Sequence, residues 1–330
     1  MNLSRRSCLS LLASSSVAFS ASARAINTLT TFRSLTPKRA SLSQWSFHRA
    51  IFGDSRNNYE QFLKLLKTSP NDVLQGKLAP RDITLIARNF GIEAIDLVNL
   101  CFYGRAQDSA WLAEFNRLAD DTGTRFQMLM CDQAGYLGAS SKAARQHAIE
   151  QHKVWMHTAA ELGCRQVRVN AYGDGSYLAQ LNQCAESLHT LAEIGKPLEL
   201  EVLVENHGHP SSNGAWLAML IENASHDNIG VLTDLDNFFM GGWNLTPERR
   251  YDRTQGLLDL APYTRGVSVK TFDFNAQGAE TTIDVPACFK ILTDAGFNGY
   301  YSAEYEGEHL SEADGTQATI KLIDQALAAR

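Results

Sequence analysis

The chain alternates short apolar runs with longer stretches that carry hydrophobic residues at helical spacing. Short runs rich in Val, Ile, Leu and aromatic residues are typical of strands buried in a parallel sheet. Eight such runs predict strands at 41–47, 94–98, 125–130, 166–170, 198–205, 229–233, 266–270 and 300–304. After the second strand the spacing is about 30 residues, which leaves room for a helix and two loops between neighbouring strands.

Helical patterns fill the gaps between these strands. After the third strand, Ile149, Trp155 and Met156 recur at near-helical spacing, and Gly163 follows where a helix commonly ends. Eight repeats of strand and helix favour the α/β class and a single (β/α)8 TIM barrel over residues 41–330. A doubly wound sheet is the alternative, but no Gly-x-Gly-x-x-Gly follows a predicted strand.

Residues 1–25 have the pattern of an export signal. Arg5 and Arg6 precede a weakly apolar stretch, and small residues lead to Ala25. Paired arginines after a serine are typical of a twin-arginine (Tat) signal, and an ordinary Sec signal is the alternative. We therefore expect cleavage near Ala25, a polar linker over 26–40, the Tat machinery as a partner, and a periplasmic or otherwise exported protein.

Composition and charge narrow the class of partner. The 330 residues are 44% hydrophobic and 20% charged, as in ordinary folded proteins. A formal net charge of −6 argues against a nucleic-acid partner, because no basic surface attracts the phosphate backbone. No apolar run beyond the N-terminus is long enough to span a membrane, so we expect no membrane partner after processing. A homo-oligomer stays open.

Acidic side chains close three of the predicted strands. Glu205, Asp234 and Glu304 each end an apolar run, and active sites of TIM barrels lie at the carboxyl ends of the strands. Three acids meeting there would repel one another unless a cation or shared protons offset the charge. A divalent metal ion is the simplest compensation. The alternative for each acid is a helix cap or an arginine pair.

Other polar and aromatic residues lie at the same predicted edge. The candidates for substrate contact are Trp45, Phe47, His48, Arg168, Asn170 and His207. Lys270 ends the seventh predicted strand, where it could hold a developing oxyanion or form a salt bridge with Asp234 or Glu304. Trp45 and Phe47 could instead fill the barrel.

Seven motifs together resemble a known family. They are SQWSF (43–47), GIEAIDLV (91–98), LGCRQVRVN (162–170), VENHG (204–208), GVLTD (230–234), VSVK (267–270) and GYYSAEYE (299–306). In order and spacing they resemble the xylose isomerase-like TIM barrels, the sugar phosphate isomerase/epimerase family, and in particular its exported members with Tat signals.

The resemblance implies one divalent ion, which could be Mn, Mg, Co or Zn. Family members hold it with a Glu, an Asp, a His and a Glu from strands five to eight. Glu205, Asp234 and Glu304 match three of these positions, but position 268 is Ser, a poor metal ligand. We expect a metal on the three acids with His207 or water completing it. The alternatives are that Lys270 replaces the charge of the metal, or that the site is degenerate.

The implied activity is isomerisation or epimerisation of a sugar through an enediolate. Glu205 and Glu304 would move the proton next to the carbonyl. We expect a non-phosphorylated sugar or keto-sugar, because no Arg/Lys cluster or Gly-rich phosphate loop occurs. The alternatives are a lyase or hydrolase of oxidised glycosides and a non-catalytic sugar-binding barrel. DNA repair of the endonuclease IV kind is disfavoured, since the chain is acidic and has nine His.

Overall fold

Eight parallel strands close into a barrel in the order of the chain. A computed structural model describes residues 39–241 and 245–329. The strands are β1 (Ala40–Ser43), β2 (Ala94–Val98), β3 (Arg125–Met130), β4 (Gln166–Asn170), β5 (Glu201–Glu205), β6 (Ile229–Asp234), β7 (Thr264–Thr271) and β8 (Tyr301–Tyr305). Each strand pairs with the next, and β8 pairs with β1. The predicted single (β/α)8 TIM barrel is confirmed.

Helices cover the outside of the barrel. They are α1 (His48–Phe52), α2 (Tyr59–Thr68), α3 (Ile83–Phe90), α4 (Ser109–Thr122), α5 (Lys142–Glu161), α6 (Tyr177–Gly195), α7 (Gly214–Ala224), α8 (Arg253–Leu260), α9 (Val285–Asp294) and α10 (Glu312–Ala328). Side-chain caps begin many of them; Ser141, for example, accepts a hydrogen bond from the backbone N–H of Ala144 at the start of α5. The apolar face of each helix packs on the strands, which gives one continuous core.

The first predicted strand, 41–47, is longer than the observed one. β1 ends at Ser43, whose hydroxyl accepts a hydrogen bond from the Trp45 N–H. That local bond turns residues Gln44–Phe47 into one turn of 3-10 helix. The turn directs Trp45 towards the open end of the barrel.

The inside of the barrel changes from apolar to polar along its axis. A side chain at Gly266 would meet the ends of Leu232, Met128 and Leu203, so this level is already filled by apolar groups. Nearer the carboxyl ends, the strand register places Lys270 opposite Glu304. Inward residues recur every second position on a strand, so the polar level follows directly from the sequence.

The predicted signal (1–25) and most of the predicted linker (26–40) lie outside the described residues. The barrel itself begins one residue before the predicted boundary, because Ala40 already pairs with Tyr301 of β8. Among the helices that the structure describes, none combines the length and the apolar character needed to cross a membrane.

Candidate active site

A cavity of about 1070 Å³ opens at the carboxyl ends of the strands. Its wall includes most of the residues that the sequence singles out: Trp45, His48, Arg168, Asn170, Glu205, His207, Lys270 and Glu304. Asp234 lies directly beneath the cavity wall, fully buried beside Lys270. Residues from distant parts of the chain thus meet at the end of the barrel where TIM-barrel enzymes place their chemistry.

The buried ammonium of Lys270 is surrounded by acids. Its Nζ lies 3.3 Å from Glu306 Oε1, 3.5 Å from Glu304 Oε1 and 3.6 Å from Asp234 Oδ2. It also donates a hydrogen bond of 3.0 Å to Asn237 Oδ1. Burial alone would lower the pKa of Lys270, but the neighbouring carboxylates raise it well above its ordinary value. The site therefore holds a permanent positive charge.

The two carboxyl groups at the end of β8 are in opposite states. Burial raises the pKa of Glu304 to about 8, although Lys270 opposes the rise, and Ser43 donates a hydrogen bond of 2.8 Å to Glu304 Oε2. Burial would also raise the pKa of Glu306, but Lys270, His48 and the hydrogen bonds that it accepts lower it. Near neutral pH, Glu304 carries a proton and Glu306 is ionised, which separates a potential acid from a charge partner.

Replacing Glu304 with Gln is expected to change how stability depends on pH. With a pKa of about 8 in the folded protein against an ordinary 4.5, Glu304 keeps its proton on folding across that interval. The stability that Glu304 contributes is fully present below its ordinary pKa of 4.5 and is lost as the pH rises through its folded pKa of about 8. The loss amounts to at most about 1.4 kcal/mol per pH unit. Urea unfolding at about pH 5 and about pH 8 should show a larger loss for the wild type than for Glu304→Gln. The control is Glu306→Gln, because the lowered pKa of Glu306 affects stability only at a pH below this range. Equal losses of stability in all three proteins would contradict the raised pKa of Glu304.

A second charged group faces the same cavity from β4 and β5. Glu205 Oε2 lies 2.8 Å from Arg168 Nε, and Arg168 Nη1 donates a hydrogen bond of 2.7 Å to Asp132 Oδ1. Asn170 donates to the same Asp132 oxygen at 2.8 Å. Asn237 joins the two groups, because its amide donates to Glu205 Oε1 at 3.0 Å while its oxygen accepts from Lys270. Burial raises the pKa of Glu205, and Arg168 opposes that rise.

His207 lines the cavity as a neutral ring. The hydroxyl of Tyr172 lies 2.6 Å from its Nδ1 and also donates to its backbone carbonyl at 2.9 Å. Burial, with a further effect of Arg168, lowers the pKa of His207 to about 4. His207 therefore offers hydrogen bonds to a ligand near neutral pH and adds no charge.

The aromatic residues after β1 divide into two roles. Trp45 Nε1 donates a hydrogen bond of 2.8 Å to Glu306 Oε1, and the His48 ring stacks on Trp45 at 4.8 Å. Phe47 does not line the cavity: it is buried in the core with its ring 6.3 Å from that of Phe90. The expected substrate contact of Phe47 is therefore wrong, because the 3-10 turn after β1 directs its side chain into the core.

The residues do not fit the divalent metal that the resemblance implies. In the part of the chain that the structure describes, no three His, Cys, Asp or Glu side chains are arranged to hold a metal ion. The expected ligands Glu205, Asp234, Glu304 and His207 are each engaged otherwise. A lysine ammonium lies between Asp234 and Glu304, and a second cation there would be repelled. The structure thus favours Lys270 as the charge that replaces the metal.

Four cavity groups were not among the predicted site residues. Glu306 lies two positions after Glu304, so the alternation of a strand places both on one face, and this signal could have identified it. Asp132 and Tyr172 likewise lie two positions beyond an inward residue. Asn237 comes from the long loop after β6 and carries no periodic signal. Only the folded loop shows that it joins Glu205 to Lys270.

A match to the sequence profile of a protein family classifies the chain. The profile described as "Xylose isomerase-like TIM barrel" matches residues 85–326. The chain belongs to this family. The match includes β2 to β8 and therefore every strand that supplies the carboxylates around Lys270.

Individual relatives are distant. The C-glycoside deglycosidase alpha subunit of Microbacterium trichothecenolyticum is 26% identical over 129 residues, which is 39% of this chain and 31% of that protein. The chain thus matches less than a third of the length of that relative. Among solved structures, the 3-keto-D-glucoside 4-epimerase of E. coli shares 14% identity and a TM-score of 0.59, covering 75% of this chain and 94% of that one. An IolI protein with a bound zinc atom shares 16% identity and a TM-score of 0.60, covering 75% and 93%.

Proposed function

We propose that this barrel is a sugar isomerase or epimerase that removes a proton next to the carbonyl of a non-phosphorylated sugar or keto-sugar. The observation that carries the proposal is the position of Lys270, a charged ammonium in a cavity wall that also presents carboxyl groups. A C–H bond next to a carbonyl becomes acidic only when the enolate oxygen is stabilised as it forms. The family supports sugar chemistry of this kind.

Lys270 supplies that stabilisation in the proposed mechanism. Its ammonium binds the carbonyl oxygen and holds the negative charge that develops when the neighbouring carbon loses its proton. Asn237 and Glu306 fix the position of Nζ, at 3.0 and 3.3 Å. Because these partners are in place before substrate binds, little reorganisation is needed during the reaction.

The two carboxyl groups named from the sequence take the acid and base roles. Glu205, held by Arg168 at 2.8 Å, removes the proton as a carboxylate. Glu304, whose pKa is about 8, returns a proton to the carbon from the other side or to the oxygen. Arg168, Asn170, His207 and His48 bind the hydroxyl groups.

A second candidate is a lyase acting on an oxidised glycoside. The match to a C-glycoside deglycosidase alpha subunit favours it. Both reactions begin with the same proton abstraction next to a carbonyl, and they differ in the second step. An epimerase returns the proton, whereas a lyase expels the group attached at the next carbon.

Deuterium exchange in heavy water tests the proposal. Wild-type protein is incubated with a panel of keto-sugars and 3-keto-glycosides in D₂O and followed by NMR. We expect deuterium at the carbon next to the carbonyl, in an isomeric product for the epimerase and with release of the attached group for the lyase. Glu205→Gln should stop exchange, while Phe47→Leu, outside the cavity, should retain it. No exchange with any member of the panel would favour the non-catalytic sugar-binding barrel.

Turnover is expected to be independent of added metal. Dialysis against a chelator should leave the exchange rate within about twofold of the untreated protein, since the lysine charge needs no ion to complete it. Metal analysis of both samples accompanies the assay. A rate that falls on chelation and returns with Mn²⁺ or Zn²⁺ would contradict the role given to Lys270.

The cellular location belongs to the proposal as well. We propose that residues 1–25 direct export through the Tat machinery, on the strength of Arg5 and Arg6 before a weakly apolar stretch. Fractionation of cells that express the full chain, with Arg5→Lys and Arg6→Lys together as the control, separates an exported protein from one that stays inside.

A further inference from the structure

Arg56 is a cation in the cavity wall that forms no ion pair with a carboxylate of the described residues. It belongs to the short 3-10 helix Gly53–Asn57 and faces the same cavity as Lys270. Within residues 39–241 and 245–329, no carboxylate oxygen lies within 4.0 Å of its guanidinium nitrogens. Its buried Nε has no hydrogen-bond partner in this part of the chain. A buried donor without a partner costs free energy unless a ligand satisfies it.

Two other arginines of the cavity wall have carboxylate partners. Arg168 lies between Asp132 and Glu205, at 2.7 and 2.8 Å. Arg49 Nε lies 3.8 Å from Glu312 Oε1. The guanidinium of Arg56 instead lies over an aromatic ring. That contact leaves the N–H groups at the end of the guanidinium available to a ligand.

Contacts fix where Arg56 lies relative to the proposed reaction centre. Its Cζ is 4.5 Å from the centre of the Trp45 ring. The Nε1 of that ring donates to Glu306 Oε1, and this same oxygen lies 3.3 Å from Lys270 Nζ. One indole ring and one carboxylate therefore separate the two cations. A ligand whose carbonyl contacts Lys270 would meet Arg56 with a different part of its structure.

We infer that the substrate carries a carboxylate group that Arg56 binds. A guanidinium fork matches the two oxygens of a carboxylate, and stacking on Trp45 fixes the plane of the fork. The inference rests on the proposed function for the placement of the carbonyl at Lys270. The carboxylate belongs either to the sugar ring, as in a uronate, or to an acidic group joined to the sugar. Cavities for ligands of drug size measure about 300–1,000 Å³, so about 1070 Å³ accommodates both.

Binding measurements on the full chain test this inference without turnover. Isothermal titration compares D-glucuronate with D-glucose, and 4-carboxyphenyl β-D-glucoside with phenyl β-D-glucoside. We expect the acidic member of one pair to bind about tenfold more tightly, which corresponds to about 1.4 kcal/mol. The first pair reports a ring carboxylate and the second an attached one. Arg56→Gln should abolish the preference, whereas Arg56→Lys should keep part of it because it retains the charge.

Arg49→Gln is the matched control. It removes a guanidinium from the same wall, but one that already lies beside Glu312, so the preference should survive. Equal binding of acidic and neutral members, or a preference that persists in Arg56→Gln, would overturn the inference. So would tighter binding of D-glucose 6-phosphate than of either carboxylate. None of these outcomes affects deuterium exchange, which tests the proposed function separately.

Discussion

Lys270→Met is expected to lower the rate of deuterium exchange by about a thousandfold or more. Methionine keeps the length and apolar stem of lysine but removes the charge that the proposed mechanism places on the enolate oxygen. Loss of one preorganised donor at such an oxygen costs about 10²–10³ in kcat, and loss of a full charge in a buried site costs at least as much. The effect should fall on kcat more than on KM, because the charge matters most when the enolate forms.

The same substitution is expected to make stability depend on pH in a characteristic direction. Without the ammonium, Asp234, Glu304 and Glu306 lie buried together, and removing one partner of a buried ion pair costs about 3–5 kcal/mol. Burial already raises the pKa values of Asp234 and Glu304 above the ordinary value of about 4, and loss of the ammonium raises them further and raises that of Glu306 as well. In the variant, the protonated forms of these three groups therefore stabilise the fold below about pH 4, and this stabilisation is lost as the pH rises.

Urea unfolding of Lys270→Met and wild type from about pH 4.5 to about pH 8 checks this direction. The deficit of the variant should be small at the acidic end and should grow towards the basic end. Asn237→Ala is the control, since it removes a hydrogen bond to Lys270 but leaves the ammonium in place. A variant that keeps wild-type exchange, or a deficit independent of pH, would show that Lys270 has no electrostatic role.

The fold was largely predictable from the sequence because each strand has a recognisable local pattern of apolar residues. Val202–Val204 and Val167–Val169 lie in short apolar runs bounded by polar residues, and parallel strands buried on both faces need such runs. The error at 41–47 has a local cause as well. Ser43 can accept a hydrogen bond from the chain two residues on, and apolar content does not reveal that competition.

The sequence identified many of the residues that line the cavity, but it did not show which of them contact one another. Strand ends identified Glu205, Glu304 and Lys270, because the carboxyl ends of barrel strands must meet. Which acid neighbours which cation depends on side-chain reach and on loops. Arg168 reaches Glu205 while Lys270 reaches Glu304, and Asn237 enters from a loop with no pattern. Local patterns therefore identified Glu205, Asp234 and Glu304, but they could not show that Lys270 lies between Asp234 and Glu304.

The proposed role of Lys270 in place of a metal is consistent with the register of β7. Position 268 pairs with Asp234, and position 270 pairs with Glu304. Ser268 is buried, and its Oγ has no hydrogen-bond partner among the described residues, at the position where the resemblance implies an imidazole. Lys270 lies two residues further along β7 and on the same face, and its ammonium supplies the positive charge beside the acids.

A double substitution, Ser268→His with Lys270→Ala, is therefore expected to create a metal site in this barrel. The first change restores an imidazole beside Asp234, and the second removes the ammonium that lies among Asp234, Glu304 and Glu306. Carboxylate and imidazole together suit Co²⁺ and Zn²⁺, so the variant should bind about one ion per chain. Titration with Co²⁺, followed by its visible absorption, measures this independently of activity. Lys270→Ala alone is the matched control and should bind more weakly, because it lacks the imidazole. Wild-type protein should bind none at this site, since its own cation is already there; binding by the wild type as tight as that of the double variant would contradict the replacement of a metal by Lys270.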